Sequence, residues 1–252
     1  MPDLVTLNRD DRHPATAVVT LNSPSNRNAL SHAFLARLKA QLVEAARPQD
    51  VRSVLLRSSQ SVFSSGADIV EALDHGMEKT SRAILSVMRT IIALPVPVVA
   101  RIDGPVRAGG LGIVAACDVV VADRNATFAF SEARLGLAPA VVSAAVLPVM
   151  TRRSASLAFL TAKAFDGAAA EEWGLVTQAV ASQKLDDAVS SVLDEAARCT
   201  RQGLRESKAL LSAPLLLRID ELGDDLCGTS AELFASPEAR GAMTALIRPH
   251  DA

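Results

Sequence analysis

The stretch Val98-Val99-Ala100-Arg101-Ile102-Asp103-Gly104-Pro105-Val106-Arg107-Ala108-Gly109-Gly110-Leu111-Gly112-Ile113-Val114-Ala115-Ala116-Cys117 decides how this chain folds. Its first five residues are a short, largely apolar run after Pro97, the mark of a buried strand. Asp103-Gly104-Pro105 turns the chain, and residues 111–117 read as a short helix opening directly from the Gly109-Gly110 step. A buried strand that passes through glycines into a helix predicts an α/β domain with parallel strands.

The pattern extends in both directions. Residues 4–7, 16–21 and 51–57 read as strands, and residues 31–47 as a helix with Ser31 at its N-cap and Phe34, Leu35, Leu38 and Leu42 on one apolar face. Residues 79–94 form a second helix, with Ile84, Val87, Met88 and Ile91 at helical spacing before Pro95 and Pro97 end it. Residues 118–122 and 126–130 are further strands. From residue 185 the strand signals fade, and residues 185–199, 204–211, 215–226 and 237–247 favour helix. The chain is therefore expected to divide into an α/β core, 1–181, and a helical C-terminal region, 182–252. Leu215, Leu216, Leu217, Leu222 and Leu226 offer more apolar surface than a solvated appendage needs, so they are expected to pack on the core or on a neighbouring subunit.

Composition excludes several function classes. The 252 residues carry 26 basic and 28 acidic side chains, a formal charge of −2, which gives no electrostatic handle for nucleic acid or a membrane surface. Aromatic residues make up 3% with no Tyr, so stacking platforms for single-stranded nucleic acid are missing. Cys117, Cys199 and Cys227 lie far apart without CxxC spacing, which fits a reducing compartment and thiols packed as small apolar groups. The opening Met1-Pro2-Asp3-Leu4 has no basic stretch followed by an apolar core, and no window reaches the roughly 18 apolar residues of a membrane span. A cytoplasmic location is the expectation. His13, His32, His75 and His250 are scattered without HxxxH or HxxE spacing, so no metal site is expected.

Two glycine turns and one acid carry the chemistry. Ser64-Ser65-Gly66-Ala67-Asp68 and the Gly104–Gly112 segment both bare backbone N–H groups, and Glu132 follows inside an apolar run, Phe128-Ala129-Phe130-Ser131-Glu132. A phosphate loop would need Gly-Lys-Ser/Thr, and a dinucleotide fingerprint needs GxGxxG; the sequence has neither. No GxSxG elbow supports a serine hydrolase. The turns can instead hold N–H donors against a developing oxyanion at Ala67 and Gly109, or they can be tight turns and nothing more. Glu132 is either a desolvated general base or the partner of Arg134 or Arg107 in an ion pair.

At these residues the chain resembles the enoyl-CoA hydratase/isomerase, or crotonase, superfamily over nearly its whole length. The marks fall in the family's order: Leu21-Asn22-Ser23-Pro24 with Arg27-Asn28-Ala29-Leu30, Phe63 through Ile69, Ile102-Asp103-Gly104 through Gly109-Gly110 to Ala116-Cys117-Asp118, and Phe128 through Glu132. Leu135-Gly136-Leu137-Ala138-Pro139, Leu160-Thr161 with Ala170 through Val176, and Phe234 through Arg240 complete the series. The resemblance implies a spiral of ββα units with a C-terminal helical region that makes trimer contacts, often in a hexamer built as a dimer of trimers. It implies an acyl-CoA thioester substrate, with coenzyme A entering as part of the substrate and no separate cofactor. Ala67 and Gly109 would be the oxyanion donors, Glu132 the acid–base residue, and Arg27, Asn28, Ala29, Ser65, Gly66, Asp68 and Ile69 the border of the bound CoA.

One departure matters for activity. Hydratases of the best-known type carry a second glutamate in the helix after the glycine pair, and alignment on Ala116-Cys117-Asp118 puts Gly112 there. The loop after Pro139, Ala140-Val141-Val142-Ser143, is also free of the aspartate that dienoyl isomerases and aryl dehalogenases typically carry in that region. The sequence resembles a bacterial branch in which Gly-Leu-x-Pro-Ala-Val follows a single retained glutamate and which is regarded as hydratase-like. The leading expectation is accordingly a lyase of fatty-acyl thioester metabolism, an enoyl-CoA hydratase adding water through an enolate. A Δ3,Δ2-enoyl-CoA isomerase using Glu132 alone and a non-catalytic CoA-thioester-binding oligomer are the alternatives. The acyl pocket is expected between Met77 and Met88 and around Val141 to Val146.

Overall fold

The computed structural model describes residues 3–247; His250, one of the four histidines, lies outside them. β1 (Val5–Arg9) runs antiparallel to β2 (Thr16–Leu21). α1 (His32–Ala45) starts where the sequence places it, because Ser31 Oγ accepts the Phe34 N–H, and it leads to β3 (Ser53–Ser58), parallel to β2. α2 (Ile69–His75) and α3 (Met77–Ala93) then carry the chain to β4 (Val98–Ile102), parallel to β3. The next turn is β5 (Val106–Arg107) and α4 (Gly109–Ala115), and the one after is β6 (Val119–Asp123), β7 (Thr127–Ala129) and α5 (Ala140–Val149). α6 (Arg152–Thr161), β8 (Phe165–Asp166), α7 (Gly167–Glu172) and β9 (Gln178–Val180) return it to the sheet before α8 (Leu185–Arg198), α9 (Arg201–Ala235) and α10 (Pro237–Ile247).

A six-stranded sheet, β1-β2-β3-β4-β6-β9, is parallel from β2 onward, and a three-stranded sheet, β5-β7-β8, lies beside it. Each strand–short strand–helix turn thus feeds both sheets, which is the ββα spiral. The two-residue side-chain period sorts the large sheet into two faces. Val18, Leu55, Val99 and Val121 pack against Leu185, Val189 and Leu193 of α8. Val19, Val54, Leu56, Val98, Ala100 and Val120 join the main core with Phe34, Leu38, Met88 and Ile91. At about 25 cal/mol per Å² of apolar surface, faces buried on both sides supply the dominant favourable term for this fold.

The structure corrects three expectations. Residues 204–211 and 215–226 are one helix, α9, which runs 35 residues straight through Pro214. The lost N–H and ring clash cost a few kcal/mol, and packing of α9 along α3 and α5 offsets them. α4 begins at Gly109, two residues before the predicted start. Cys199 is exposed at the end of α8, whereas Cys227 is buried. Leu215, Leu216 and Leu226 pack on the main core, while Leu217 stays 59% exposed.

A single buried ammonium fastens α9 to the core. Lys208, 4% exposed, donates to the carbonyls of Ile91 (2.8 Å) and Val96 (3.1 Å) and to Asp118 Oδ2 (2.6 Å). The same Asp118 oxygen accepts the Val98 N–H at 2.7 Å, so one cluster ties the end of α3, the start of β4 and the approach to β6. Burial holds the Lys208 ammonium below its ordinary pKa against the pull of Asp118, and burial pushes the Cys117 thiol up.

Candidate active site

The oxyanion segments are brought together by a strand register. Residues 63–66 run beside residues 105–108: the Phe63 N–H donates to Pro105 O at 3.0 Å, the Arg107 N–H donates to Ser64 O at 3.0 Å, and Ser64 pairs in parallel with Val106. Two residues further on, Gly66 abuts Ala108, where an added Cβ would lie 3.1 Å from the Ala108 Cβ. Ala67 and Gly109 follow this contact directly, one on each segment, and both line the same cleft. Gly66 makes the turn at φ +94°, which a side chain would strain. Ala108 holds φ 45° and ψ −119° directly before α4, a strained geometry for a residue with a Cβ, and this reorients the peptide that carries the Gly109 N–H. Neither the Ala67 nor the Gly109 N–H has an acceptor among the described residues.

Glu132 opens a short 3-10 turn, Glu132–Leu135. Its carboxylate oxygen Oε2 is one of two buried side-chain polar atoms without a hydrogen-bond partner among the described residues. Burial pushes its pKa up to about 7. Of the two readings of Glu132, the ion pair is absent. Arg107 donates to Val106 O, Thr127 O and Thr127 Oγ1 instead, and Arg134 is exposed.

Ala67, Gly109 and Glu132 line one cleft of about 780 Å³, its open mouth included, with Ser65 and Ile69 also on the wall. The expected acyl-pocket segments contribute Met77, Ser81, Ile84, Val141 and Val142. The remaining CoA-border residues are placed differently. Arg27 is exposed in a left-handed turn, and its carbonyl accepts the Ser65 N–H, which puts it next to the cleft wall. Asp68 caps α2 by accepting the Glu71 N–H, and Ala29 and Gly66 support the loop from behind, where the Leu30 N–H donates to Gly66 O. Asn28 is a correction. Fully buried, it accepts the Ser23 N–H and donates to Ser58 Oγ, Val62 O and Phe63 O. Its own carbonyl accepts from Ser64 Oγ and its N–H donates to Ser23 O, so no part of it is left for a ligand.

At Gly112 an added Cβ would lie 2.6 Å from Met88 Sδ and 2.8 Å from Val142 Cγ1. The place where the resemblance expects a second glutamate is thus closed by apolar side chains. Sequence reasoning did not assign the far wall to the cleft: Ser230, Leu233 and Phe234 of α9 and Met243 of α10 also line it. Phe234 stands in a quoted motif, but Ser230, Leu233 and Met243 carry no local signal, and the long-range packing of α9 on α3 and of Phe234 and Met243 with Ala72 brings this wall into place. No three His, Cys, Asp or Glu side chains gather to hold a metal ion among the described residues. No helix among them is long and apolar enough to cross a membrane.

Comparison with known proteins agrees with this architecture. The structure superposes with a TM-score of 0.91 on an enoyl-CoA hydratase from Mycobacterium avium, 41% identical, covering 98% of this chain and 96% of that one. An enoyl-CoA hydratase from Mycobacterium smegmatis gives a TM-score of 0.80 at 31% identity, covering 96% and 95%. The human mitochondrial enoyl-CoA hydratase domain-containing protein 2 is 30% identical over 233 residues, 88% of this chain and 75% of that protein. The family model described as enoyl-CoA hydratase/isomerase matches residues 11–222, and with the crotonase fold and the cleft in place the chain belongs to that family.

Proposed function

We propose that this chain is an enoyl-CoA hydratase. The thioester oxygen of a 2-enoyl-CoA lies between the Ala67 and Gly109 N–H groups, and Glu132 handles the proton at the adjoining carbons. One observation carries the reading: the residues that hold two unpartnered backbone donors and one unpartnered buried carboxylate oxygen all line a single cleft. Donors fixed before reaction stabilise negative charge as it develops, each worth about 3 kcal/mol in known cases. The Glu132 carboxylate takes a proton from water, the water oxygen bonds to C3, and the π electrons move through C2 onto the thioester oxygen. The protonated Glu132 then returns that proton to C2 as the enolate collapses. Water is added across the double bond and the carboxylate is regenerated.

A second reading has its own support. With Gly112 walled in by Met88 and Val142, Glu132 is the only acid on the cleft wall among the described residues. A single base suffices to carry a proton from C2 to C4 of a 3-enoyl thioester. Crotonyl-CoA incubated with the protein is expected to lose its enoyl absorbance and yield the 3-hydroxyacyl product. Conversion of a 3-enoyl-CoA without activity on crotonyl-CoA would assign the isomerase instead. Tight thioester binding with neither reaction would leave a binding protein.

The assembly follows the same logic. The helical region 182–252 presents Leu210 and Leu211, about four-fifths exposed, and Leu217 on α9, and we assign this face to contacts between copies in a trimer or a dimer of trimers. Light scattering coupled to gel filtration tests it: a monomer removes the assignment.

A further inference from the structure

The cleft wall is apolar except for Glu132 and four serines, Ser65, Ser81, Ser131 and Ser230. Two of those serines form a pair across helices. Ser81 Oγ of α3, in a residue only 2% exposed, donates to Ser230 Oγ of α9 at 3.0 Å. Two hydroxyls that share one bond keep one proton to spare, and the Ser230 O–H has no acceptor among the described residues. Ser230 is only half-buried on the cleft wall, so a ligand oxygen that takes this proton replaces water, a net gain of about 0.5–1.5 kcal/mol.

Position ties the pair to the reacting end. Ile84 lies one turn along α3 from Ser81, and its Cδ1 is 3.0 Å from where a Cβ on Gly109 would stand. The hydroxyl pair therefore lies about one helical turn, ~5 Å along α3, from the side chain that touches the Gly109 amide segment. That is within the reach of a short acyl chain. The surroundings restrict the chemistry of what arrives. No Lys or Arg lines the cleft, and the one carboxyl there is already driven toward its neutral form. A second carboxylate would be buried beside it without a cation.

We infer that the Ser81–Ser230 pair selects acyl chains that carry a neutral oxygen, a hydroxyl or keto group, over plain hydrocarbon or carboxylated chains. This rests on the reading that the cleft binds acyl-CoA thioesters. It adds a substrate class that the oxyanion donors and Glu132 do not specify.

Saturated thioesters test it without turnover. The dissociation constants of butanoyl- to octanoyl-CoA would be compared by calorimetry with those of ω-hydroxyacyl- and ω-carboxyacyl-CoA of matched heavy-atom count. At one chain length the hydroxyl tail is expected to bind about five- to tenfold more tightly than the hydrocarbon tail. Ser230→Ala, which keeps a strong helix former in α9, is expected to bring the ratio to about one, and Ser230→Thr to retain it. A ratio within twofold of one at every length in the wild type overturns the inference. So does a preference that survives the Ser81→Ala/Ser230→Ala pair, or tighter binding of the carboxylated tail. In those cases the thioesters still bind and the proposed function stands. If no thioester binds at all, the proposed function falls and takes this selectivity with it.

Discussion

Two buried ionisable groups in this molecule are treated in opposite ways. Lys208 has an acceptor in each of three places, Ile91 O, Val96 O and Asp118 Oδ2, whereas Glu132 Oε2 has none among the described residues. Both lie within the fold, and burial drives both toward the neutral form. The difference lies in what their unmet valence faces. Lys208 closes a gap between α3, β4, β6 and α9, while Glu132 lines a cleft. A satisfied buried charge holds structure together, and an unsatisfied one beside open space is kept for a ligand.

The comparison breaks most visibly at Lys208. Lys208→Met leaves the Ile91 and Val96 carbonyls without their charged donor, while Asp118 keeps the Val98 N–H, and each buried acceptor left unmet costs about 1–3 kcal/mol. A large share of the stability of an ordinary domain would go. Urea unfolding monitored by circular dichroism reads the shift directly. A variant within 1 kcal/mol of the wild type would show that the cluster is dispensable. At Glu132 the expected effect is on turnover. Glu132→Gln keeps shape and removes the base, so kcat should fall about 10²- to 10⁴-fold while thioester affinity changes little. In the wild type, kcat/KM should rise tenfold per pH unit up to about 7 and flatten above it, because hydration starts from the carboxylate. A profile flat from pH 5 to 9 would remove Glu132 from the base role.

Legibility in the sequence followed the range of the interactions. Strands β1, β2, β3, β4 and β6 of the large sheet, α1 and α3 were readable because their apolar spacing is set within a few residues, whereas the three-residue edge strand β9 was not read. The glycine turns and Glu132 were readable because they sit in contiguous motifs, and the cleft brings them together. Asn28 read as a ligand neighbour because it stands in such a motif, yet its amide is consumed by Ser58, Val62 and Phe63, up to 35 residues away. α9 read as two helices because Pro214 is a local stop signal that distant packing overrides. Lys208 and Ser230 were silent for the same reason: each acquires its role only when α9 lies across α3 and α5. Their partners are about 90 to 150 residues away along the chain.

Gly112 sharpens the comparison from the apolar side of the cleft. Gly112→Glu tests whether the wall can take a second carboxylate. Its Cβ alone would press within 3 Å of Met88 Sδ and Val142 Cγ1, so the wall must move. Overpacking of this kind costs about 1–3 kcal/mol, and the variant is expected to lose stability without gaining hydration rate. Met88 is unbranched and can swing away, but Val142 cannot. A faster hydratase at unchanged stability would mean that the wall yields and that a two-carboxylate site is within easy reach of this scaffold.

The smallest effect is also the most direct test of the contrast, because it asks whether Glu132 strains the fold that holds it. Its pKa is about 7 in the folded chain against an ordinary value of 4.5, so the folded state holds its proton more tightly than the unfolded state does. Stability attached to this group is therefore complete below pH 4.5, falls as pH rises to about 7 and stays low above that. The shift corresponds to a penalty of at most about 3 kcal/mol for the carboxylate. A buried Gln amide has its own unmet hydrogen bonds, which leaves a net gain of about 1–2 kcal/mol. Glu132→Gln should thus be more stable than the wild type at pH 8 and lose that advantage by pH 4.5, as read from urea midpoints across the range. An advantage that is constant with pH would mean the carboxyl is not desolvated by the fold. The reverse sign would mean that Glu132, like Lys208, has a partner that secures its charge.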